Sequence, residues 1–197
     1  MPRLAIKGGN PVAEDLSKLI PPWPTYSEKE RQALIEVLES RRWCRIYPGS
    51  RAELFENMFA EYHHAKHGIA VANGTVALEL AMKTVGVKQG DKVVVPAVTF
   101  IASASAATEL GAIPIFADID PETGNISPRS VRDIVEQEDG VRAVVAVHYG
   151  GNPVNFDELK PFLARRGIKL IEDCAHAHGS EWRGRRVGAI GDMGGFS

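Results

Sequence analysis

A regular alternation of short apolar runs with helix-like segments is the feature of this sequence that most restricts its fold. Runs that are apolar at nearly every position predict strands buried on both faces, as in a parallel sheet with helices on each side. The predicted strands are GIAVA (68–72), KVVVPA (92–97), IPIFADI (113–119), RAVVAVHY (142–149) and IKLIED (168–173). The sequence therefore predicts an α/β domain with a mainly parallel sheet.

Helix signals lie between the predicted strands and also ahead of the first one. The predicted helices between strands are 74–86, 100–111, 127–137 and 156–167. The third begins at Ser127, followed by a proline, which is favoured in the first turn of a helix. Ahead of the sheet, Ser27 with Glu30 forms a capping box, and Ser50 with Glu53 repeats the pattern. Two further helices are therefore expected before the sheet.

Residues 1–26 are rich in proline and glycine and predict an extended arm. Trp23 and Tyr26 are candidate anchors of this arm on another surface. The remainder, 27–197, is expected to form one domain. It ends in GDMGGFS, without a cap, a polar tail or a terminal helix, so the domain is expected to be truncated.

Composition and charge exclude several classes of function. The 197 residues are 44% apolar and 24% charged, with a formal net charge of −2. Lysine and arginine are scattered, so neither a nucleic-acid surface nor a membrane-binding basic helix is predicted. No apolar run approaches the roughly 20 residues of a spanning helix, and the first residues do not resemble a signal peptide. Cys44 and Cys174 are expected to be free thiols in the cytoplasm.

Ligands of parallel α/β sheets bind beyond the carboxyl ends of the strands, so the residues that follow each strand are the candidates for a site. Asn73-Gly74-Thr75 joins a predicted strand to a helix, and its free N–H groups and the Thr75 hydroxyl could cradle a phosphate. The alternative is a simple helix cap with a tight turn. Without G-x-G-x-x-G or a Walker lysine, a nucleotide is not favoured.

Phe100 follows another predicted strand and precedes a helix made mostly of alanine and serine. Small residues allow that helix to pack closely on the sheet. Phe100 is expected either to lie against a planar ligand ring or to be an ordinary core residue.

The segment LIEDCAHAHGS (170–180) collects polar groups at the end of the last predicted strand. Asp173 is placed to face a cationic partner. Zinc binding by Cys174, His176 and His178 is disfavoured, because no structural C-x-x-C or H-x-x-x-H spacing accompanies them. A nucleophilic Cys174 is also disfavoured, since a small packed residue is expected there, and His178 is expected to be a hydrogen-bonded structural histidine.

Taken in order, Asn-Gly-Thr at a helix start, VPAVTF, IEDCAHAHG and RRVGAIGDMGGFS resemble the DegT/DnrJ/EryC1/StrS family of pyridoxal-phosphate (PLP) sugar aminotransferases. The DCAHAHG form and the early PxWPxY are most similar to the branch of 3-amino-5-hydroxybenzoate synthase. The resemblance implies the large domain of PLP fold type I, a homodimer, and an interface that includes loop 41–51 with Tyr47.

The resemblance also implies a role for each candidate site residue. Asp173 would pair with the pyridinium nitrogen, so that the ring withdraws electrons, and His176 would lie near the ring oxygen, where most relatives have glutamine. The implied cofactor-binding residues are Gly74, Thr75, Phe100, Asp173, His176 and Ser197, with Asp173 and His176 the catalytic ones and no metal ligand. Thr75, Gly74 and Ser197 would bind the phosphate.

The implied activity is transfer of an amino group from glutamate or glutamine to a keto-sugar or a cyclic ketone. Alternatives are a PLP-dependent dehydratase or lyase of the benzoate-synthase or sugar-dehydratase type, and an inactive fragment. The family's Schiff-base lysine would lie about five residues past Ser197. Lys83, Lys92 and Lys169 do not match its position, so the chain alone is expected to be inactive.

Overall fold

The computed structural model describes residues 3–13, 15, 20 and 22–197, which form two compact units, Met1–Arg51 and Ala52–Ser197. Several positions of the predicted arm, including Pro21, lie outside the described residues. The predicted arm (1–26) and domain (27–197) remain predictions. No helix among the described residues combines the length and the apolarity needed to cross a membrane.

Among the described residues, all six predicted helices and four of the five predicted strands are present, and three unpredicted strands follow them. In chain order, the helices and strands are α1 (Glu28–Ser40), α2 (Arg51–Tyr62), α3 (Gly74–Thr84), β1 (Lys92–Pro96), α4 (Ala102–Glu109), β2 (Ile113–Ala117), α5 (Pro128–Gln137), β3 (Val141–Val147), α6 (Phe156–Arg166), β4 (Lys169–Asp173), β5 (Glu181–Trp182), β6 (Arg185–Arg186) and β7 (Met193–Gly195). Short 3₁₀ turns cover Ala5–Lys7 and Tyr149–Gly151.

Helix α1 begins at the predicted capping box. The Ser27 side chain accepts a hydrogen bond from the N–H of Lys29, and the Ser27 N–H donates to Glu30 Oε2 at 2.6 Å. Leu34 and Leu38 on this helix are 71% and 64% exposed. The apolar face of α1 is therefore open to solvent within its own unit.

The second unit is built on a five-stranded sheet in the order β2-β1-β3-β4-β7, in which every pair of neighbours is parallel. One buried cluster packs α5 and α6 against the sheet, and another packs α3 and α4 against the opposite face. Successive residues of β1 enter opposite clusters: Val94 the first, Val93 and Val95 the second. The predicted burial of strands on both faces is confirmed for this strand.

Two strand predictions need correction. Residues 68–72 form no strand and no ladder with another described strand, because they lie against α2, where the Ala70 N–H donates to Glu56 Oε1 at 2.9 Å. Strand β2 exists, but it lies at the edge of the sheet. Its Ile113 and Phe116 are 48% and 59% exposed, so it is not buried on both faces.

Candidate active site

The carboxyl ends of three neighbouring parallel strands bring several of the candidate residues to one edge of the sheet. Val147, Asp173 and Gly195 are register partners on β3, β4 and β7. The residues that follow these positions must therefore lie beside one another. The end of β4 and the residues that follow β7, including Ser197, therefore lie at this edge.

The start of α3 meets Ser197 at this edge. A Cβ atom built on Gly74 would lie 2.7 Å from the Cβ of Ser197 and 3.0 Å from its Oγ, so only glycine leaves room for the serine. Asn73 caps the helix by accepting a hydrogen bond from the N–H of Val76 at 3.0 Å. The N–H groups of Gly74 and Thr75 have no acceptor within the helix, because they lie in its first turn. Residues 73–75 can therefore cap the helix and also offer free N–H groups to a phosphate.

Asp173 is a nearly buried carboxylate that pairs with no cationic side chain of the described residues. It is 8% exposed, and Oδ2 accepts a hydrogen bond from Ser103 Oγ at 2.8 Å, while Oδ1 accepts one from the Ala175 N–H at 3.2 Å. Across the described part of the chain, no lysine, arginine or histidine forms an ion pair with it. A buried charge of this kind is costly unless an opposite charge approaches it. The site is therefore suited to a cationic group of a ligand.

Ser103 and Thr99 were not predicted as site residues. The sequence suggested only that α4 packs closely, whereas Ser103 is fully buried and lies 2.8 Å from both Asp173 Oδ2 and Thr99 Oγ1. A serine among alanines carries no signal that distinguishes a packing residue from a hydrogen-bond donor. Only the fold shows that this serine meets the end of β4.

His176 is exposed, and its Nδ1 is 3.3 Å from the N–H of Gly150, which can only donate. Nδ1 is therefore the acceptor, and the neutral ring carries its proton on Nε2. Its ring also meets Tyr149 edge to face, with centroids 6.0 Å apart. His176 thus presents a defined N–H donor.

Phe100 lies in the loop between β1 and α4 and is 72% exposed. The alternative interpretation of Phe100 as a core residue is therefore wrong. An exposed aromatic ring beside this edge of the sheet remains available to a planar ligand.

Glu172, the neighbour of Asp173, has the opposite environment. It is fully buried, and its carboxylate accepts hydrogen bonds from His148 Nε2 (3.1 Å) and from the N–H groups of Gly188 (2.6 Å), Ile190 (2.7 Å) and Gly191 (2.5 Å). Burial alone would raise the pKa of Glu172, but the hydrogen bonds from His148, Gly188 and Gly191 outweigh it and leave the pKa below its usual value. Glu172 therefore anchors the loop that leads to β7.

The tautomer of His148 follows from its two contacts. Its Nδ1 accepts a hydrogen bond from the Val154 N–H at 3.2 Å, so Nε2 carries the proton that is donated to Glu172. His148, Glu172 and Cys174 form a buried cluster of groups that could in principle hold a metal ion. The first two are already engaged with each other, and burial raises the pKa of the Cys174 thiol far above its usual value. The protonated thiol is a poor nucleophile and a poor ligand.

Phe196 fixes the position of the residue that follows it, Ser197. Its ring centroid lies 4.9 Å from that of Phe59, 4.4 Å from His63 and 5.4 Å from His178. His178 is exposed and makes ring contacts, and no hydrogen bond joins it to another described residue, so its expected structural hydrogen bond is not found.

Comparison with known proteins agrees with this architecture. Residues 24–197 match the DegT/DnrJ/EryC1/StrS aminotransferase family. The chain is 41% identical to 3-amino-5-hydroxybenzoate synthase of Amycolatopsis mediterranei, over 90% of this chain and 45% of that protein. It is 40% identical to L-glutamine:2-deoxy-scyllo-inosose aminotransferase of Streptomyces kanamyceticus, over 99% of this chain and 45% of that protein.

A solved aminotransferase structure from Psychrobacter cryohalolentis superposes with a TM-score of 0.85 and 38% identity, covering 90% of this chain and 44% of that one. The chain thus spans a little under half the length of these relatives. Its parallel sheet with helices on both faces is that of PLP fold type I. The chain belongs to the DegT/DnrJ/EryC1/StrS aminotransferase family.

Proposed function

We propose that the protein containing this chain is a PLP-dependent aminotransferase that moves an amino group from L-glutamine or L-glutamate to a keto-sugar or a cyclic ketone. The observation that carries the proposal is Asp173, a nearly buried carboxylate at the carboxyl edge of the sheet that has no cationic partner among the described residues. A relative whose name includes L-glutamine and 2-deoxy-scyllo-inosose supports the choice of donor and acceptor.

The residues at this edge fit PLP in their charge and in the hydrogen-bond donors that they offer. The N–H groups of Gly74 and Thr75, together with Ser197 Oγ, would hold the phosphate, because the absent Cβ at position 74 leaves room beside the serine. Phe100, whose ring is exposed, would cover one face of the cofactor ring, and His176, with its proton on Nε2, would donate to the ring oxygen. When bound, PLP supplies a protonated pyridine ring that withdraws electrons from the reacting carbon. Asp173 holds the proton on the ring nitrogen.

Two of the lysines considered from the sequence, Lys92 and Lys169, lie away from this edge. Lys92 and Lys169 are the first residues of β1 and β4, whereas Asp173 is the last residue of β4. Both are engaged there, Lys92 with Glu138 at 2.7 Å and Lys169 with Asp192 at 2.8 Å. We therefore expect the chain by itself to bind PLP without a covalent link. Borohydride reduction that fixed PLP to one lysine of this chain would contradict that expectation.

A homodimer and a cytoplasmic location form part of the proposal. Three aromatic side chains of the first unit are exposed: Trp23 (90%), Tyr26 (74%) and Tyr47 (43%). Exposed aromatic side chains are typical of a surface that binds another protein chain. Cys44 and Cys174 are free thiols, as expected in a reducing compartment. Sedimentation analysis of the purified protein tests the dimer.

Titration of the chain with PLP, followed by tryptophan fluorescence, tests the site directly. Asp173→Asn should weaken PLP binding about 10-fold or more, because a charge-assisted hydrogen bond to the ring nitrogen is lost. Binding of inorganic phosphate should not change. The control Ser105→Ala lies on the same part of α4 as Ser103, and no hydrogen bond joins its side chain to Asp173. Equal PLP affinity for Asp173→Asn and the parent chain would refute the assignment.

The reaction is tested by adding L-glutamine or L-glutamate to the PLP-loaded full-length protein that contains this chain. An aminotransferase converts PLP to pyridoxamine 5′-phosphate in the absence of any ketone. PLP binding without this conversion would instead support the inactive-fragment alternative.

A PLP-dependent dehydratase or lyase is the second candidate. The 41% identity to 3-amino-5-hydroxybenzoate synthase and the histidine at position 176, with its proton on Nε2, favour it. A dehydratase or lyase would eliminate water from a hydroxy-ketone, whereas transfer of amino nitrogen from L-glutamine to the ketone would support the first proposal.

A further inference from the structure

We propose that Ser103 is a positioning residue that orients the Asp173 carboxylate toward the ring nitrogen of the bound cofactor, with Thr99 as a second donor behind it. This inference rests on the proposed function. It concerns a different residue from those that the resemblance implied, and it is tested separately.

The direction of the hydrogen bonds follows from counting protons. Ser103 Oγ lies 2.8 Å from Asp173 Oδ2 and 2.8 Å from Thr99 Oγ1. An ionised carboxylate only accepts hydrogen bonds, so the single hydroxyl proton of Ser103 goes to Asp173. Thr99 must then donate to Ser103. The result is a directed chain from Thr99 through Ser103 to Asp173.

Each oxygen of Asp173 is held by a donor from a different segment. Ser103 in α4 donates to Oδ2, and the Ala175 N–H, just past β4, donates to Oδ1 at 3.2 Å. Two donors on two oxygens fix the plane of the carboxylate. A carboxylate offers about four acceptor sites, so the two that remain are free for the cofactor.

The segment from Thr99 to Ser103 also fixes the backbone of Phe100. Thr99 precedes Phe100 directly, and the Ser103 N–H donates to the Phe100 carbonyl oxygen at 3.2 Å. The residue that covers the ring and the residue that orients its nitrogen partner are therefore set by one short segment.

Packing alone does not explain a hydroxyl at position 103. Its neighbours Ala102, Ala104, Ala106 and Ala107 are all buried alanines, and Ser103 itself is fully buried. Alanine would fill nearly the same space without burying a polar group, which is costly unless the group is hydrogen-bonded. The contact with Asp173 satisfies this hydroxyl.

The experiment compares two ligands on the purified chain: PLP, and its isostere in which the ring nitrogen is replaced by carbon. Ser103→Ala should weaken PLP binding about 10-fold, because a hydrogen bond to a charged group is lost. The isostere should bind Ser103→Ala and the parent chain equally, because it has no nitrogen for Asp173 to pair with. Ser103→Thr, which keeps the hydroxyl, should restore PLP binding, and Ser105→Ala should change neither ligand.

A spectroscopic readout separates orientation from general structural damage. With ¹⁵N-labelled PLP bound, the ring-nitrogen shift should move toward that of unprotonated pyridine in Ser103→Ala and not in Ser105→Ala. Thr99→Val, at a half-exposed position, should move it in the same direction by less, and it carries the test if Ser103→Ala does not fold.

Equal weakening of PLP and the isostere in Ser103→Ala would overturn the proposal, because the hydroxyl would then only support the fold. An unchanged ¹⁵N shift in Ser103→Ala and Thr99→Val would overturn it as well. If the parent chain binds PLP and the isostere equally, then Asp173 does not pair with the nitrogen, and the proposed function itself fails at that residue.

Discussion

Replacement of Glu172 by glutamine should be among the most damaging single substitutions in this chain. Each oxygen of the buried carboxylate accepts two hydrogen bonds, from His148 and Gly188 on one side and from Ile190 and Gly191 on the other. A glutamine can keep one oxygen, but its NH₂ group then faces two donors. Each buried donor left without an acceptor costs about 1–3 kcal/mol, so the expected loss of unfolding free energy is about 2–6 kcal/mol.

Urea unfolding followed by circular dichroism measures this loss. Domains of this size are stable by only about 5–15 kcal/mol, so the change should be visible as a large shift of the midpoint. Glu138→Gln is the matched control, because Glu138 forms a half-exposed ion pair with Lys92 and should cost about 1 kcal/mol or less. A loss below about 1 kcal/mol for Glu172→Gln would refute the reasoning, since it would mean that the four donors do not depend on the charge.

The pH dependence of stability follows from the same hydrogen bonds. The pKa of Glu172 is lowered in the folded chain from its ordinary value of 4.5. Its contribution to stability is therefore complete above about pH 4.5 and is lost as the pH falls through the lower, folded-state pKa. Acid should destabilise the parent chain more steeply than Glu172→Gln in this range, and parallel acid-unfolding curves would contradict the prediction.

Three further substitutions test the approach to the site. Gly74→Ala should weaken PLP binding about 10-fold or more, because the new Cβ would displace Ser197, and unchanged affinity in the fluorescence titration would exclude the cradle. Phe100→Ala should leave the melting temperature unchanged, since the ring is 72% exposed, and should weaken PLP binding by about 2- to 12-fold; a lower melting temperature would place the ring in the core. Gly188→Ala should lower the urea midpoint strongly, because its φ is +92° and a Cβ there would lie 2.4 Å from the Phe196 ring; an unchanged midpoint would show that this turn adapts.

The sheet could be predicted from local patterns, because a strand that is buried on both faces is apolar at nearly every position. Continuous apolar runs identified β1, β3 and β4, and the caps at Ser27 and Ser127 identified two helix starts. The run at 68–72 misled, because a strand needs a hydrogen-bonded neighbour as well as an apolar composition.

The site was only partly predictable, because some of its contacts join residues that are far apart in the sequence. Asp173 ends β4 and Phe100 follows β1, where the fold rule directs attention, whereas Gly74 opens α3 behind a segment that is not a strand. The contact between Ser103 and Asp173 joins positions 70 residues apart in sequence, and a serine in an alanine-rich helix gives no sign of it. The structural role of Glu172 was also not predicted, because a charged residue just before Asp173 is typical of the polar end of a strand.

The contrast between Glu172 and Asp173 explains how one strand end can serve both folding and binding. Neighbouring residues of a strand point to opposite faces, so two adjacent carboxylates enter different environments. Glu172 receives four hydrogen bonds and has no acceptor site to spare, whereas Asp173 receives two and is nearly buried. The first therefore holds the loop that leads to β7 and on to Ser197, while the second keeps capacity for a cationic ligand. A ligand that pairs with Asp173 thus binds against an edge whose geometry Glu172 has already fixed.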